Sequence, residues 1–367
     1  TFNLQKKFYA RSNEIWTNDN SGTINSEDNN VKRGTFLDAF FHGDNAKDGG
    51  DGSDITVILN ETKTAFAIAI DLNQKTAEGL KILVFNNKIE KIIDQTFNKE
   101  IKDRNYIFQN IQISNSGDAV YILAKSYDDA LKKKKEGGKY FFELTKIDSK
   151  NQLTQIIDPN QNFIGSLKTF FHNDDLLCLG FYSDLTDYRY KGICFFNFDA
   201  NSLTLKKSKF NLFTDQFFFD KYGENSEKAV KYLTFRKVFF NSKNEIILNA
   251  EEYDKTVNAG ASMGINGPAG TVSSSTHYSF DDIVIAKLNL DGDLLWARNI
   301  NKRQSTTKDD TSYLSYTSTL RNDKTYFFIN TSEKIKKLKN DRIEFGQVRK
   351  NKSNLNVIEI NSSGDFE

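Results

Sequence analysis

The sequence predicts an all-β fold, a β-propeller of roughly five to seven blades of four antiparallel strands, in one domain spanning residues 1–367. Three observations carry this. A unit recurs from Ile55 to the C-terminus at a period of about 45–65 residues, the spacing of propeller blades. Each copy reads as an apolar strand, a tight polar turn, a second apolar strand, a variable loop, an aromatic strand, a turn and a final strand. The composition also suits half-buried strands: 13% of residues are aromatic, with 31 Phe and 15 Tyr against 2 Pro and 1 Met.

The first copy places strands at 55–59, 65–70, 80–85 and 89–97, and the second at 111–113, 119–124, 140–147 and 153–157. The third runs 167–171, 176–182, 193–198 and 203–210, the fourth 233–240, 245–250, 282–290 and 294–300. The fifth begins at Leu314, continues through 325–330 and 355–360, and lacks a fourth strand. The extended run from Phe2 to Tyr9 is the expected replacement, which would close the ring and remove exposed sheet edges. Residues 1–53 form an irregular blade, a cap or that closing strand, and 54–367 form the repeated blades. The turns between third and fourth strands (Asn86-Asn87, Asp148 to Asn151, Asp199 to Asn201, Asp291 to Asp293, Ser363 to Asp365) are rich in Asn, Asp and Gly. Those residues accept the positive φ that short hairpins demand.

Charge excludes some partners. Lys+Arg 50 nearly cancels Asp+Glu 49, so no overall field points at nucleic acid or an anionic membrane. The run Lys132 to Lys135 reads as a solvated loop. No apolar stretch approaches the roughly 20 residues needed to span a bilayer. The chain begins at Thr1 rather than Met, which a removed signal peptide would explain; no N-terminal Cys offers a lipid anchor. Cys178 and Cys194 fall on consecutive strands, nearly opposite across a hairpin. Two readings stand there, a disulfide or two buried thiols.

No catalytic residue emerges, and no cofactor or metal is called for. His42, His172 and His277 have no partners at ligand spacing and read as scattered surface histidines. Nucleophile-elbow and phosphate-loop motifs are missing. Asp48, Asp51 and Asp54 in the glycine-rich stretch 44–54 offer hard oxygen ligands. A calcium turn of that type works in stacked repeats, however, and one copy reads as an acidic loop. The glycine- and serine-rich segment 258–276 is expected as a long mobile loop between second and third strands of the fourth blade. Its apolar residues Met263, Ile265 and Val272, with Pro268, are the candidate partner-binding residues.

The string from Asp282 to Arg298 places a turn at Asp291-Gly292 and Trp296 between blades, with Lys302, Arg303 and Gln304 at an edge or loop open to a partner. Over 280–330 this string resembles β-propeller proteins exported in bacteria that possess a type 9 secretion system. The resemblance implies a periplasmic, non-enzymatic protein-interaction module of a cell-envelope assembly, docking an outer-membrane translocon or another envelope protein. One role within that group, closing the translocon as a plug, carries no catalytic residues. The alternative is a propeller-type glycan-active enzyme or carbohydrate-binding protein, which requires carboxylates or His converging on a cleft, or a platform of exposed aromatics.

Overall fold

The computed structural model describes residues 55–72, 76–102, 105–127, 140–173, 175–184, 189–224, 230–261, 272–307, 314–347 and 353–367. They fold into five successive antiparallel sheets. The first holds β1 (Ile55–Leu59), β2 (Ala65–Asp71), β3 (Glu78–Asn86) and β4 (Lys91–Lys99) in sequence order. The second repeats the order with β5 (Tyr106–Ile113), β6 (Ala119–Ser126), β7 (Phe141–Asp148) and β8 (Gln152–Ile157). The third is β9 (Phe163–His172), β10 (Asp175–Ser183), β12 (Gly192–Asp199) and β13 (Leu205–Leu212). A two-residue strand, β11 (Arg189–Tyr190), pairs instead with β14 (Val230–Lys231).

The fourth sheet is β15 (Leu233–Phe240), β16 (Ile246–Ala261), β17 (Val272–Leu288) and β18 (Leu294–Ile300), with β19 (Gln304–Thr306) added on β17. In the fifth, β21 (Lys324–Ser332) pairs with β20 (Tyr316–Arg321) on one side and β24 (Ser353–Ile360) on the other. The short ribbon of β22 (Lys336–Lys337) and β23 (Ile343–Glu344) lies between them in sequence. The fourth position of this sheet is begun by Phe366, which bridges Ile360 after the turn at 361–365. The closing strand expected at 2–9, the acidic stretch 44–54 with Asp48, Asp51 and Asp54, His42 and the Lys132–Lys135 run lie outside the described residues.

Burial follows strand position. The second strands β2, β6 and β10 are almost wholly buried, whereas the outer β8 and β13 are largely exposed. Apolar faces of successive sheets pack on one another. One cluster joins Ala67, Ile82 and Val84 to Ile111 and Ile122; another joins Tyr121 and Leu144 to Leu167 and Phe196. Phe181 and Phe195 meet Phe235 and Leu248, and Ile283 and Ile285 meet Phe327 and Ile329. Each interface stacks two pleated faces, which is why strand interiors read as near-continuous apolar runs.

The repeat extends to defects. The first strands of the second, third and fourth sheets each carry a β-bulge at their pairing with the second strand, at Gln109, Gly165 and Arg236. A bulge leaves one residue outside the ladder and re-aims its side chain. The turns between first and second strands also meet in chain order. Asn60 Nδ2 donates to Ser114 O and Asn115 O, Asn115 Nδ2 to Asn173 O, and Ser242 N and Oγ to the carboxylate of Asp323. His172 completes the chain by joining the third turn to the first and the fourth.

Turn chemistry departs from expectation at two places. Ile89 and Leu203 adopt positive φ of 66° and 55°, a conformation that costs an L-residue energy. Leu203 is buried between the second and third sheets and Ile89 packs on the outer face of the first, so both side chains are held by apolar contact that glycine lacks. Gly292 and Gly364 sit at φ 83° and 92° as their composition predicts. Both also press on an aromatic of the preceding sheet, Phe195 and Trp296, where a Cβ would collide.

Helix α1 (Asp215–Tyr222) was not expected. Its signals are Thr214, whose hydroxyl accepts from Phe217 N, Asp215 in the first turn, and Gly223 in the left-handed conformation at the C-terminal end. Arg342 donates to the terminal carbonyls of Lys221 and Tyr222. Cys178 and Cys194 are free buried thiols. Cys178 lies opposite Phe196 and Cys194 opposite Gly180, two positions out of register, and burial pushes both thiols up.

Candidate functional site

The feature that stands apart is the hairpin of β16 and β17. The two strands stay paired from Ile246↔Leu288 to Ala261↔Val272. The loop expected over 258–276 is therefore strand at both ends: the serine run Ser273 to Ser275 pairs with Gly260 to Asn258. The pairing of β15 with β16 stops at Leu233↔Glu252. Beyond a register shift between Glu251 and Tyr253, nine pairs continue as a ribbon, flanked only by β19 at 278–280 among the described residues. At roughly 3.3 Å per residue this arm is about 25–30 Å long. Of the candidate partner-binding residues, Val272 opens β17; Met263, Ile265 and Pro268 lie outside the described residues.

Charged groups gather where the arm leaves the sheet. On the side facing α1, Lys221 Nζ donates to Glu252 Oε2 at 2.9 Å and to Asp282 Oδ2 at 2.6 Å. Asp282 also accepts from Asn299 Nδ2 at 3.1 Å and from the backbone N of Lys302 at 3.0 Å. Asp220 of α1 accepts from Arg298 Nε at 2.6 Å and from Gln216 Nε2 at 2.9 Å. On the other side Glu251, with no exposed side-chain surface, lies between two cations. Arg236 Nη2 is 2.5 Å from its Oε2, and the equally buried Lys302 Nζ is 2.7 Å from its Oε1. Ser315 Oγ donates to the same carboxylate, and Lys302 Nζ donates to Phe280 O. The bulge at Arg236 aims the guanidinium at Glu251 and over the rings of Tyr253 and Phe280.

Adjacent glutamates thus titrate in opposite directions. Burial alone would raise Glu251, but Lys302 and Arg236 outweigh it and hold the carboxyl below its ordinary value. Glu252 shares one ammonium with Asp282, so burial prevails and its carboxyl is pushed up to about 7. Asp281 shifts the same way, through burial and the charge of Asp282. The folded chain therefore keeps a proton on Glu252 between about pH 4.5 and 7 that the unfolded chain releases. Stability contributed by this site falls as pH rises through that window, by about 3 kcal/mol. Glu252→Gln is expected to remove that dependence. Urea denaturation at pH 5 and pH 8 should show a larger pH 8 loss in the native chain than in the variant.

The charges of this arrangement are matched in number. Four cations (Lys221, Arg236, Arg298, Lys302) face four carboxylates (Asp220, Glu251, Glu252, Asp282). Such a network holds the strands and helix that meet there in one geometry. Lys302 and Gln304, expected at an open edge or loop, are core residues with 1% exposure each; only Arg303 of the three is exposed. The missed signal was the pair of acidic doublets, Glu251-Glu252 and Asp281-Asp282, abutting the apolar runs 246–250 and 283–286. A buried charge of that kind requires a partner.

His172 is not a surface histidine. It is 8% exposed, stacked on Phe240 with ring centroids 3.7 Å apart and planes 2° from parallel. Its Nδ1 lies 3.1 Å from Glu61 Oε1 and its Nε2 3.2 Å from Asn244 Oδ1. It ties the turns of three sheets together. His277 lies within the arm, opposite Thr256. A cavity of about 510 Å³ opens between the first and second sheets, lined by Lys99, Lys102, Glu143, Asn105 and Tyr127 among others. Lys99 there is paired with Glu143. Among the described residues no group of His, Cys, Asp and Glu is placed to hold a metal ion, and no helix is long and apolar enough to cross a membrane.

No family model matches the sequence, and no curated protein matches it. Solved structures show distant likeness. An ACO/RPE65 chimera is similar over 85% of this chain and 58% of its own, at 7% identity and a TM-score of 0.36. Cobalt-substituted ACO of Synechocystis is similar over 85% and 58%, at 6% identity and a TM-score of 0.35. An uncharacterized protein of Listeria monocytogenes EGD-e is similar over 86% of this chain and 82% of its own, at 6% identity and a TM-score of 0.29. This chain thus spans 58% of the length of the first two. Likeness at these TM-scores carries no argument about activity.

Proposed function

We propose that this chain is a protein-interaction module built on a β-propeller, and that the β16–β17 arm is the element that engages the partner. The observation that carries the reading is the arm itself, nine pairs long beyond its sheet, with a charge-balanced network at its root. A two-stranded ribbon is marginal alone in water; clamping its base costs five buried ion pairs among four cations and four carboxylates, which is sensible for an element that must be presented in one direction. Five successive antiparallel sheets packed face to face, with their first turns meeting in order, support the propeller. The periplasm and a type 9 translocon, as its plug or another envelope subunit, are the proposed setting, supported by the resemblance of the 280–330 string. A glycan-active centre would need unpaired carboxylates in a cleft, whereas Glu252 and Asp282 share Lys221.

The test is a shortened arm, with 257–276 replaced by Asn-Gly, a sequence suited to a two-residue hairpin turn. The variant should keep the thermal midpoint of the parent. Affinity-tagged parent should recover one stoichiometric envelope protein from detergent extracts, and the shortened form should recover at least tenfold less, about 1.4 kcal/mol of binding. Equal recovery by both forms, or recovery of the propeller alone by the parent, sinks the reading.

A further inference from the structure

We propose that the outer edge of β16 over 254–261 is a strand-addition site, taking an extended, uncharged segment of a partner protein as a third strand on the arm. This inference rests on the arm being the interaction element and names what it binds.

Among the described residues the edge is open. Tyr253 N still donates to Tyr232 O, at 3.0 Å, and past that point no described strand lies beside β16 on its outer side. The opposite edge of the ribbon is partly closed, because β19 pairs with Tyr278, Ser279 and Phe280. Among the described residues an incoming strand therefore has one long side to pair along, and its backbone would take up the donors and acceptors of β16 there.

Among the described residues, several other outer strands carry protection that this edge lacks. Strand β4 carries Lys91, Asp94 and Lys99, and β13 carries Lys206, Lys207 and Lys209, the charged residues that deter edge pairing. Strand β8 carries no charge but is only 6 residues long, itself a protective device. By contrast, no Asp, Glu, Lys or Arg occurs between Lys255 and Asp281. In a chain that is 27% charged, about seven would be expected over that length. Proline, the other common edge blocker, is missing from the β16 portion.

The same emptiness of charge defines the ligand. A charged side chain seated along 256–261 would find no countercharge on the ribbon and would lose part of its hydration, so discrimination falls against charged segments. Small and β-branched uncharged side chains suit an added strand beside a stretch that carries no charge in sequence. A segment of about eight residues would cover the edge.

The experiment pans a displayed library of random octapeptides on the full chain, then measures amide hydrogen exchange with a synthetic copy of the enriched peptide. The expected peptides are uncharged and extended, slow exchange at 254–261, and leave 278–280 unchanged. Ala259→Lys with Gly260→Lys, which puts charge on the edge while leaving the network at its root intact, should weaken binding at least tenfold. The proposal is overturned by peptides that protect another region, by failure to enrich any sequence, or by unchanged affinity of the lysine variant. It is also overturned if 254–261 becomes protected with rising protein concentration alone, which would make a second copy the occupant. If the shortened arm loses the envelope partner while the lysine variant keeps it, the interaction reading stands and strand addition falls; if the shortened arm keeps the partner, both fall.

Discussion

Lys302→Met is expected to destabilise the fold by about 3–5 kcal/mol, the cost of stranding a buried charge. Lys302 and Glu251 have no exposed side-chain surface, so neither can recover hydration when its partner is lost. Arg236 remains beside Glu251 and moderates the loss, but Phe280 O would also lose its donor. Urea denaturation with constant m-value is the measurement. Replacing Arg236, Glu251 and Lys302 together by apolar residues of similar volume should recover most of the loss, because no charge is then stranded. If Lys302→Met costs under about 1 kcal/mol, the network behaves as a surface ion pair and the clamped-base account fails.

Phe181→Ala is expected to cost about 3–5 kcal/mol, the range for removing a fully buried aromatic. Phe181 is inaccessible to solvent and stacks on Phe235 of the next sheet, with centroids 4.7 Å apart and Tyr190 at 5.6 Å. The void would sit between the third and fourth sheets, where main-chain strands cannot close in without breaking their ladders. Phe181→Leu should cost less than half as much. A matched control is Phe219→Ala, on the outward side of α1 and 42% exposed, expected within about 0.5 kcal/mol of the parent.

Strand positions were legible because the pattern that encodes them is local. The expected strands at 55–59, 233–240 and 294–300 match β1, β15 and β18 at both ends, and the fourth-sheet turn falls at Asp291-Gly292. Trp296 lies between the fourth and fifth sheets as its place in the string suggested, its Nε1 donating to Ser362 O. What failed were three judgements that needed a partner from elsewhere in the chain. His172 looked solitary, yet its partners are Glu61 and Asn244, 111 and 72 residues away. Lys302 looked like an edge residue because Glu251 lies on another strand. The segment 258–276 looked like a loop since glycine and serine say nothing about pairing until the opposite strand is known.

The sequence by itself determined the order of strands, their turns and the succession of similar sheets, since alternation, apolar runs and Asn/Gly turns act over a few residues. Only the tertiary structure decided which charges are buried, that His172 binds three turns together, and that β16 and β17 continue past their sheet as an arm. Those outcomes depend on desolvation and on contacts between residues far apart in the chain. One dimension of sequence does not specify them until the sheets have packed.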